Sequence, residues 1–354
     1  MNVLKYLCVF SIPIVGFLSL SSSGWWAYTL VIYSYICIPL LELIFGGTTE
    51  NMDKATEEIV KADRFYDYLV YACVPVQYGF LGYFLYLVST QNFATYELVG
   101  HIISMGIMCG VLGINVAHEL GHRNKKSEQM MAKSLLLTSL YMHFFIEHNR
   151  GHHKNVSTDI DPASSRYGEI LYVFWFRSVI FGYLSAWNLE RERLQKVGKS
   201  FISLHNEMLI YQIIQIAFVL GIFAIFGTNT MLYFLAAAVI GFLHLETVNY
   251  IEHYGLRRKK IGDNIYERVL PVHSWNSNHP LGRIMLFELT RHSDHHFRPN
   301  RKYQTLRHFD DSLQMPTGYP GMMVLSLIPP LWFFVMHRRI EMYRQNHKLG
   351  KALA

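Results

Sequence analysis

Apolar residues are gathered into six runs, about 4–20, 25–45, 68–89, 97–117, 208–226 and 231–250, each with at most one charged side chain. A helix needs roughly 20 apolar residues to cross a hydrocarbon core about 30 Å thick. The pattern therefore predicts six transmembrane helices. The first run, with Lys5 near its start and Ser21-Ser22-Ser23 behind it, has the outline of a signal peptide. Trp25-Trp26 opens the second run at once and suits a membrane interface, which favours a retained first span.

The segments between the runs alternate in basic content. Residues 21–24, 90–96 and 227–230 contain no Lys or Arg, whereas 46–67 carries Lys54, Lys61 and Arg64. Segment 118–207 is rich in both, and Arg257, Arg258, Lys259 and Lys260 follow the sixth run. The positive-inside rule then places both termini and the polar parts 46–67, 118–207 and 251–354 in the cytoplasm. Within these parts Ile170–Trp187, interrupted by Arg177, predicts an amphipathic helix at the interface. Gly321–Val335, broken by Pro329-Pro330, predicts a shallow or packed element. With no repeat and no Pro/Gly/Ser-rich linker, residues 1–354 form one membrane domain with a cytoplasmic cap.

Composition agrees with this. The 354 residues are 51% hydrophobic and 15% aromatic but only 16% charged, against about 25% charged in soluble domains. Cys8, Cys37, Cys73 and Cys109 lie singly in apolar runs and form no CxxC pair, which argues against a disulfide framework and against a fused iron–sulfur or rubredoxin-like module. Any electrons the protein uses must come from a separate carrier. The net charge of +6 suits an anionic lipid surface or an acidic partner. A lipid bilayer, and no nucleic acid, is the expected surrounding.

The chemistry lies in histidines. Of 18, nine fall in four motifs at the cytoplasmic edge: His118-Glu-Leu-Gly-His122, Glu147-His148-Asn-Arg-Gly-His152-His153, Asn249-Tyr-Ile-Glu252-His253-Tyr-Gly255, and Arg291-His292-Ser-Asp294-His295-His296. An HxxxH pair arises by chance about once in such a chain, but HxxxHH and HxxHH together are roughly a 1-in-500 coincidence. Histidines at i and i+4 share a helix face and can point at one metal, while adjacent histidines point apart and can serve two. Imidazole suits iron, copper, zinc and nickel, but nine candidates exceed what one four-coordinate zinc uses. Two metals are the natural count. His101, His143, His244, His273, His279 and His308 read instead as ordinary interfacial or hydrogen-bonded residues. Glu119, Glu147, Glu252, Asp294, Asp159 and Asp161 lie near the motifs and are candidates to accept from the outer N–H of a metal-bound imidazole.

Together the four motifs resemble the bacterial alkane 1-monooxygenases, within the wider membrane fatty acid desaturase and hydroxylase family. The longer strings that carry the likeness are EHNRGHH at 147–153, NYIEHYGL at 249–256, HSWNSNH at 273–279, LTRHSDHH at 289–296 and PTGYPG at 316–321. The likeness runs from the second span to about residue 335. It implies an all-α integral membrane fold of six helices with a histidine-rich cytoplasmic cap, in the bacterial inner membrane. It also implies two non-haem irons, with neither haem nor flavin. The implied ligands are His118, His122, His148, His152, His153, His253, His292, His295 and His296. The implied reaction is O2-dependent hydroxylation of the terminal carbon of n-alkanes to 1-alkanols, with electrons from rubredoxin and its reductase. Val272 stands where members often carry another histidine. Ser34 stands where several medium-chain members carry a bulky aromatic, which predicts a deeper substrate tunnel and tolerance of longer alkanes.

Three other readings compete. A desaturase or another lipid hydroxylase would use the same site. A membrane zinc protease would use His118–His122 with Glu119 as general base, but leaves most of the histidines unexplained. A metal transporter would place ligands near the bilayer midplane, whereas these collect at one edge.

Overall fold

The computed structural model describes residues 3–263 and 265–347; the expected cytoplasmic tail at 348–354 lies outside the described residues. Among the described residues five helices are long and apolar enough to cross a membrane: α1 (Val3–Leu20), α2 (Gly24–Phe45), α4 (Phe65–Thr90), α5 (Thr95–Gly121) and α9 (Glu207–His253), with α3 (Lys54–Ala62) between α2 and α4. Helix α9 has 47 residues, about 70 Å at 1.5 Å per residue, more than twice the thickness of a hydrocarbon core. It breaks at Gly227, whose φ of +82° lies in the left-handed region open to glycine. That break falls between the fifth and sixth apolar runs.

Between α5 and α9 lie α6 (Lys126–Leu137), α7 (residues 144–155) and α8 (Leu171–Lys196). Helix α8 contains the expected interfacial segment but runs nine residues past Trp187. The added stretch is rich in helix formers, and its buried Glu190 binds Arg193 at 2.6 Å and Arg150 at 3.0 Å. Arg177 does not break the helix, because Glu169 takes its guanidinium at 2.7 Å.

After α9 come α10 (Pro280–Met285), α11 (His292–Phe297), α12 (Tyr319–Ser326) and α13 (Pro329–His347). Sequence reasoning expected a short element over Gly321–Val335 broken at Pro329-Pro330; the structure has two helices there, the second longer than expected. Pro329-Pro330 opens α13 rather than interrupting a helix, as proline does where its missing N–H would be unbonded anyway.

Close packing of α5 on α9 depends on absent side chains. A Cβ on Gly106 would meet the Ile240 side chain at 2.4 Å, and one on Gly241 would meet Cys109 at 2.5 Å. Small residues let membrane helices approach backbone to backbone. A second core forms around the fully buried Trp275, Trp332, Tyr250, Tyr254 and Tyr319.

Two features hold α11 in place. A parallel two-residue ladder pairs β3 (Trp275–Asn276) with β4 (Leu313–Gln314), following the small antiparallel pair of β1 (Lys260–Gly262) and β2 (Ile265–Tyr266). From β3, Asn276 Oδ1 accepts from the Ser293 amide at 2.8 Å. Upstream, Phe287 and Glu288 both take positive φ, +50° and +57°, which costs roughly 1–2 kcal/mol each for non-glycine residues. Glu288 offsets this by gathering Tyr6 (2.8 Å), Arg283 (2.7 Å) and Lys5 (3.3 Å), so α1 is bound to the segment that carries the last histidine motif.

Among the described residues three helices contain a π-helical turn: Tyr33–Cys37 in α2, Cys109–Asn115 in α5 and Glu147–His152 in α7. Such wide turns concentrate at functional sites, and all three border the site described next.

Candidate metal centre

Four elements converge at one end of the helical bundle. His118 sits on the last turn of α5 with His122 just beyond it; α7 carries His148, His152 and His153. His253 is the last residue of α9, and α11 supplies His292, His295 and His296. The nine rings form two groups. His118, His122, His148, His153 and His295 make one; His152, His253, His292 and His296 make the other. Within each group the ring nitrogens all lie within 4.8 Å of one another.

The split follows from helix geometry. His118 and His122, like His292 and His296, are four residues apart on α-helical turns and share a group, as the spacing predicts. His148 and His152 have the same spacing but fall into different groups, which corrects that simple reading. Their segment is a π-helical turn, where the bonded pair is i to i+5, so His148 shares a group with His153 instead. The adjacent pairs His152-His153 and His295-His296 each divide between the two groups.

Chemically, both groups fit a metal. His148 Nε2 lies 3.1 Å from His122 Nε2 and 3.0 Å from His153 Nε2; His295 Nε2 is 3.1 Å from His153 Nε2. In the second group His152 and His296, and His292 and His253, meet Nε2 to Nε2 at 3.2 Å. Ligands about 2.1 Å from a common ion and at right angles would stand about 3.0 Å apart. Burial holds His148, His153, His292, His295 and His296 far below the usual histidine range, and His122 down to about 3, with neighbouring imidazoles adding to the effect. Neutral imidazoles with converging lone pairs are the form that binds metal.

The six nearby carboxylates divide by position. Asp161 Oδ2 lies 2.9 Å from His152 Nδ1 and also accepts from Ser164 Oγ at 2.5 Å. Burial pushes this carboxyl up, but His152 and Ser164 outweigh burial and hold it below its usual value. Glu252 Oε1 lies 3.2 Å from His292 Nδ1 and accepts from Tyr319 Oη at 2.8 Å. Glu147 is buried beside His148, with Oε1 unpaired and no imidazole contact; burial, with Asp161 and Glu246 nearby, raises it well above the carboxylate range.

The other three do other work. Glu119 accepts from Arg123 at 2.6 and 2.9 Å and from the Tyr303 amide at 3.3 Å, while Asp67 takes Arg123 at 3.1 Å and Lys302 at 2.8 Å. Asp294 accepts from the Arg307 amide at 2.8 Å and lies 3.4 Å from Arg301. Both pin the 301–307 loop rather than a histidine. Glu119 Oε1 is thus committed to Arg123 and the Tyr303 amide, which gives this carboxylate a structural role that a zinc protease's general base does not have. Asp159 is 78% exposed and pairs with Arg257 at 3.4 Å; as a support for imidazole it is corrected, because it faces solvent. Sequence reasoning missed Arg123, Asp67 and Tyr319. Tyr319 lies in the PTGYPG string, whereas nothing in the sequence links Asp67 to a residue 56 positions on.

From this centre a narrow apolar cavity of about 90 Å³ runs between the spans. Ile107, Ile114, Phe144, Leu245, Val248 and Met285 line its length, and His118, His148 and His292 close one end beside Asn115, Asn249 and Glu252. Ser34 is buried on its wall with Oγ unpaired, on the π-helical turn of α2.

Fold and site define a class: a multi-pass helical membrane protein whose clustered histidines face an apolar cavity. A profile of the fatty acid desaturase family matches residues 94–326. The chain is 41% identical to alkane 1-monooxygenase 1 of Alcanivorax borkumensis over 323 residues, covering 91% of this chain and 80% of that one. It is 42% identical to alkane 1-monooxygenase 1 of Pseudomonas aeruginosa over 325 residues, covering 90% and 84%. A more distant relative, the xylene/toluene monooxygenase hydroxylase component XylM of Pseudomonas putida, shares 26% over 338 residues, covering 94% and 87%. The chain belongs to the fatty acid desaturase family and, within it, to the alkane 1-monooxygenases.

Proposed function

We propose that this enzyme hydroxylates the terminal carbon of n-alkanes to 1-alkanols, using O2 and two electrons from reduced rubredoxin. The observation that carries the reading is an apolar cavity that ends on both histidine groups. The balance is one alkane, one O2, two electrons and two protons giving one alkanol and one water. Two irons, one held by each group, would supply the activation of O2. The chain's own residues do the rest. An alkane offers no polar handle, so its binding comes from burial, at about 0.8 kcal/mol per methylene. The cavity holds the chain end-on, and His118, His148 and His292 meet it only at one end, which makes regiochemistry a matter of shape. Asp161 orients His152 from behind through a hydrogen bond, and Glu252 stands 3.2 Å from His292 Nδ1.

We read α9 as two passes joined at Gly227, giving six spans with both termini and the histidine face cytoplasmic, in the bacterial inner membrane. Rubredoxin docks on that basic face. Ser34 keeps the cavity wall open for longer chains; Ser34→Trp should lower hexadecane conversion relative to octane, and unchanged profiles in wild type and variant would refute that role.

The reading is tested by co-expressing the chain with a rubredoxin and its reductase, feeding an n-alkane and measuring the 1-alkanol, with His292→Ala as control. Alkanol from wild type alone supports it. No alkanol from iron-loaded protein with a working donor turns the assignment toward fatty acyl substrates.

A further inference from the structure

Away from the histidine end, the cavity wall contains a second polar feature. Tyr35, His244 and Met323 line both the cavity and a neighbouring open apolar groove, so they form the partition between them. The Tyr35 and His244 rings stand 5.9 Å apart. His244 Nδ1 lies 2.6 Å from the Ile240 carbonyl. A carbonyl only accepts, so Nδ1 carries the proton and Nε2 of the neutral ring is an acceptor. Packing keeps the ring there, since a Cβ on Gly110 would lie 2.9 Å from His244 Cβ.

The other polar side chains of the groove are already paired. Trp175 Nε1 donates to Thr247 Oγ1 at 3.0 Å, and Thr247 donates to the Leu243 carbonyl at 2.7 Å. Among the described residues the Tyr35 hydroxyl and His244 Nε2 have no hydrogen-bond partner. A donor and an acceptor, carried on rings 5.9 Å apart, thus lack protein partners on an apolar wall. A hydroxyl is the group that answers both, donating to His244 Nε2 and accepting from Tyr35. Counting along α9, His244 precedes His253 by nine residues, about 14 Å at 1.5 Å per residue.

We propose that Tyr35 and His244 form a site for the hydroxyl of a medium-chain primary alkanol, and that the enzyme therefore hydroxylates the far methyl of alkanols to give α,ω-diols. The proposal rests on the alkane-hydroxylase reading above. One oxygen atom of O2 enters the terminal C–H bond and the other leaves as water. The same reduced carrier supplies two electrons, and two protons come from water. An alkanol bound in the opposite sense would present its carbinol carbon to the metal centre and give aldehyde instead, so the diol-to-aldehyde ratio reports orientation.

The test supplies octan-1-ol, decan-1-ol and dodecan-1-ol to the reconstituted enzyme, with decane as a parallel substrate. Wild type should form diol in excess of aldehyde, best at the length that spans the gap. His244→Phe and Tyr35→Phe should each lower the diol-to-aldehyde ratio by about 3- to 10-fold, the value of one hydrogen bond. General damage to the fold would lower both products together and leave the ratio unchanged; an unchanged ratio in both variants overturns the proposal. Aldehyde alone from wild-type enzyme that converts decane also overturns it. Failure on decane as well would refute the underlying reading instead.

Discussion

The two histidine groups use one kind of side chain and share two sequence motifs, yet the protein supports them differently. All four rings of the smaller group are buried, and two have a carboxylate behind them, Asp161 at His152 and Glu252 at His292. In the group of five, His122 and His153 are only half-buried. Among the described residues no carboxylate oxygen lies within 4 Å of its ring nitrogens. One group is held by outer partners and burial, the other by the number of its rings and an edge open to the polar side. The lesson is that equal ligands need not make equal sites. The buttressed group is expected to bind metal more tightly, and the open group to exchange its metal first.

The most severe way to break this comparison is to remove a ligand. His152→Ala should empty the four-histidine group and lower alkane hydroxylation by about 100-fold or more, with iron per chain falling by one equivalent. His122→Ala should leave four rings in the larger group and a smaller loss of metal. Equal loss from both variants would erase the proposed asymmetry.

Next in size is the outer partner. Asp161→Asn should weaken metal binding by the smaller group by about 10- to 100-fold, read as iron retained against a graded chelator. Glu119→Gln is the matched control. It leaves the buried Arg123 with one charged partner, Asp67, in place of two, a smaller cost than leaving a buried charge wholly unpaired. Its signature is a lower thermal midpoint with metal content unchanged. If Glu119→Gln stripped the metal and Asp161→Asn did not, the division of the carboxylates given above would be reversed.

Acid should act through the same rings. Burial lowers the histidines at 148, 153, 292, 295 and 296 far below their usual value, and His122 to about 3, whereas in an unfolded chain histidine takes up a proton near 6.5. Between those values the unfolded chain binds more protons, so stability rises with pH across that window. It is full above about 6.5 and is lost progressively as pH falls below it. The thermal midpoint of metal-free protein should therefore drop between about pH 7.5 and pH 5.5. A flat or rising midpoint on acidification would contradict the buried, neutral state of these rings. The smallest effect is expected at Asp159. Its exposed pair with Arg257 should be worth under about 1 kcal/mol, so Asp159→Asn should change neither metal content nor activity.

Much of the architecture was legible along the chain because it depends on local composition. A run of apolar residues near the thickness of a bilayer must become a helix, since lipid offers the backbone no partners. Spacing exposed the nine histidines together, because clustered imidazole is rare by chance. Where reasoning from spacing failed, a particular backbone event was responsible. The π-helical turn at Glu147–His152 rotates His148 away from His152, and nothing in EHNRGHH distinguishes that turn from an α-helical one. Pro329-Pro330 suggested a break, and one helix does end at Ser326 before another starts at Pro329; what the sequence did not show is that the second runs on to His347.

The amino-acid sequence by itself determined that the chain is helical and rich in membrane-length apolar runs, which histidines gather at the candidate metal centre, and which family it belongs to. These properties follow from hydropathy, residue identity and spacing, which are local. Only the tertiary structure decided how nine histidines divide into five and four, and that Asp161 and Glu252 stand behind rings while Glu119 and Asp294 hold a loop. It also decided that Tyr35 and His244, 209 positions apart in sequence, meet at the wall of one cavity. Each of these depends on which helix faces pack together, and that is settled by close approach at residues such as Gly106 and Gly241 and by buried ion clusters whose members lie far apart along the chain.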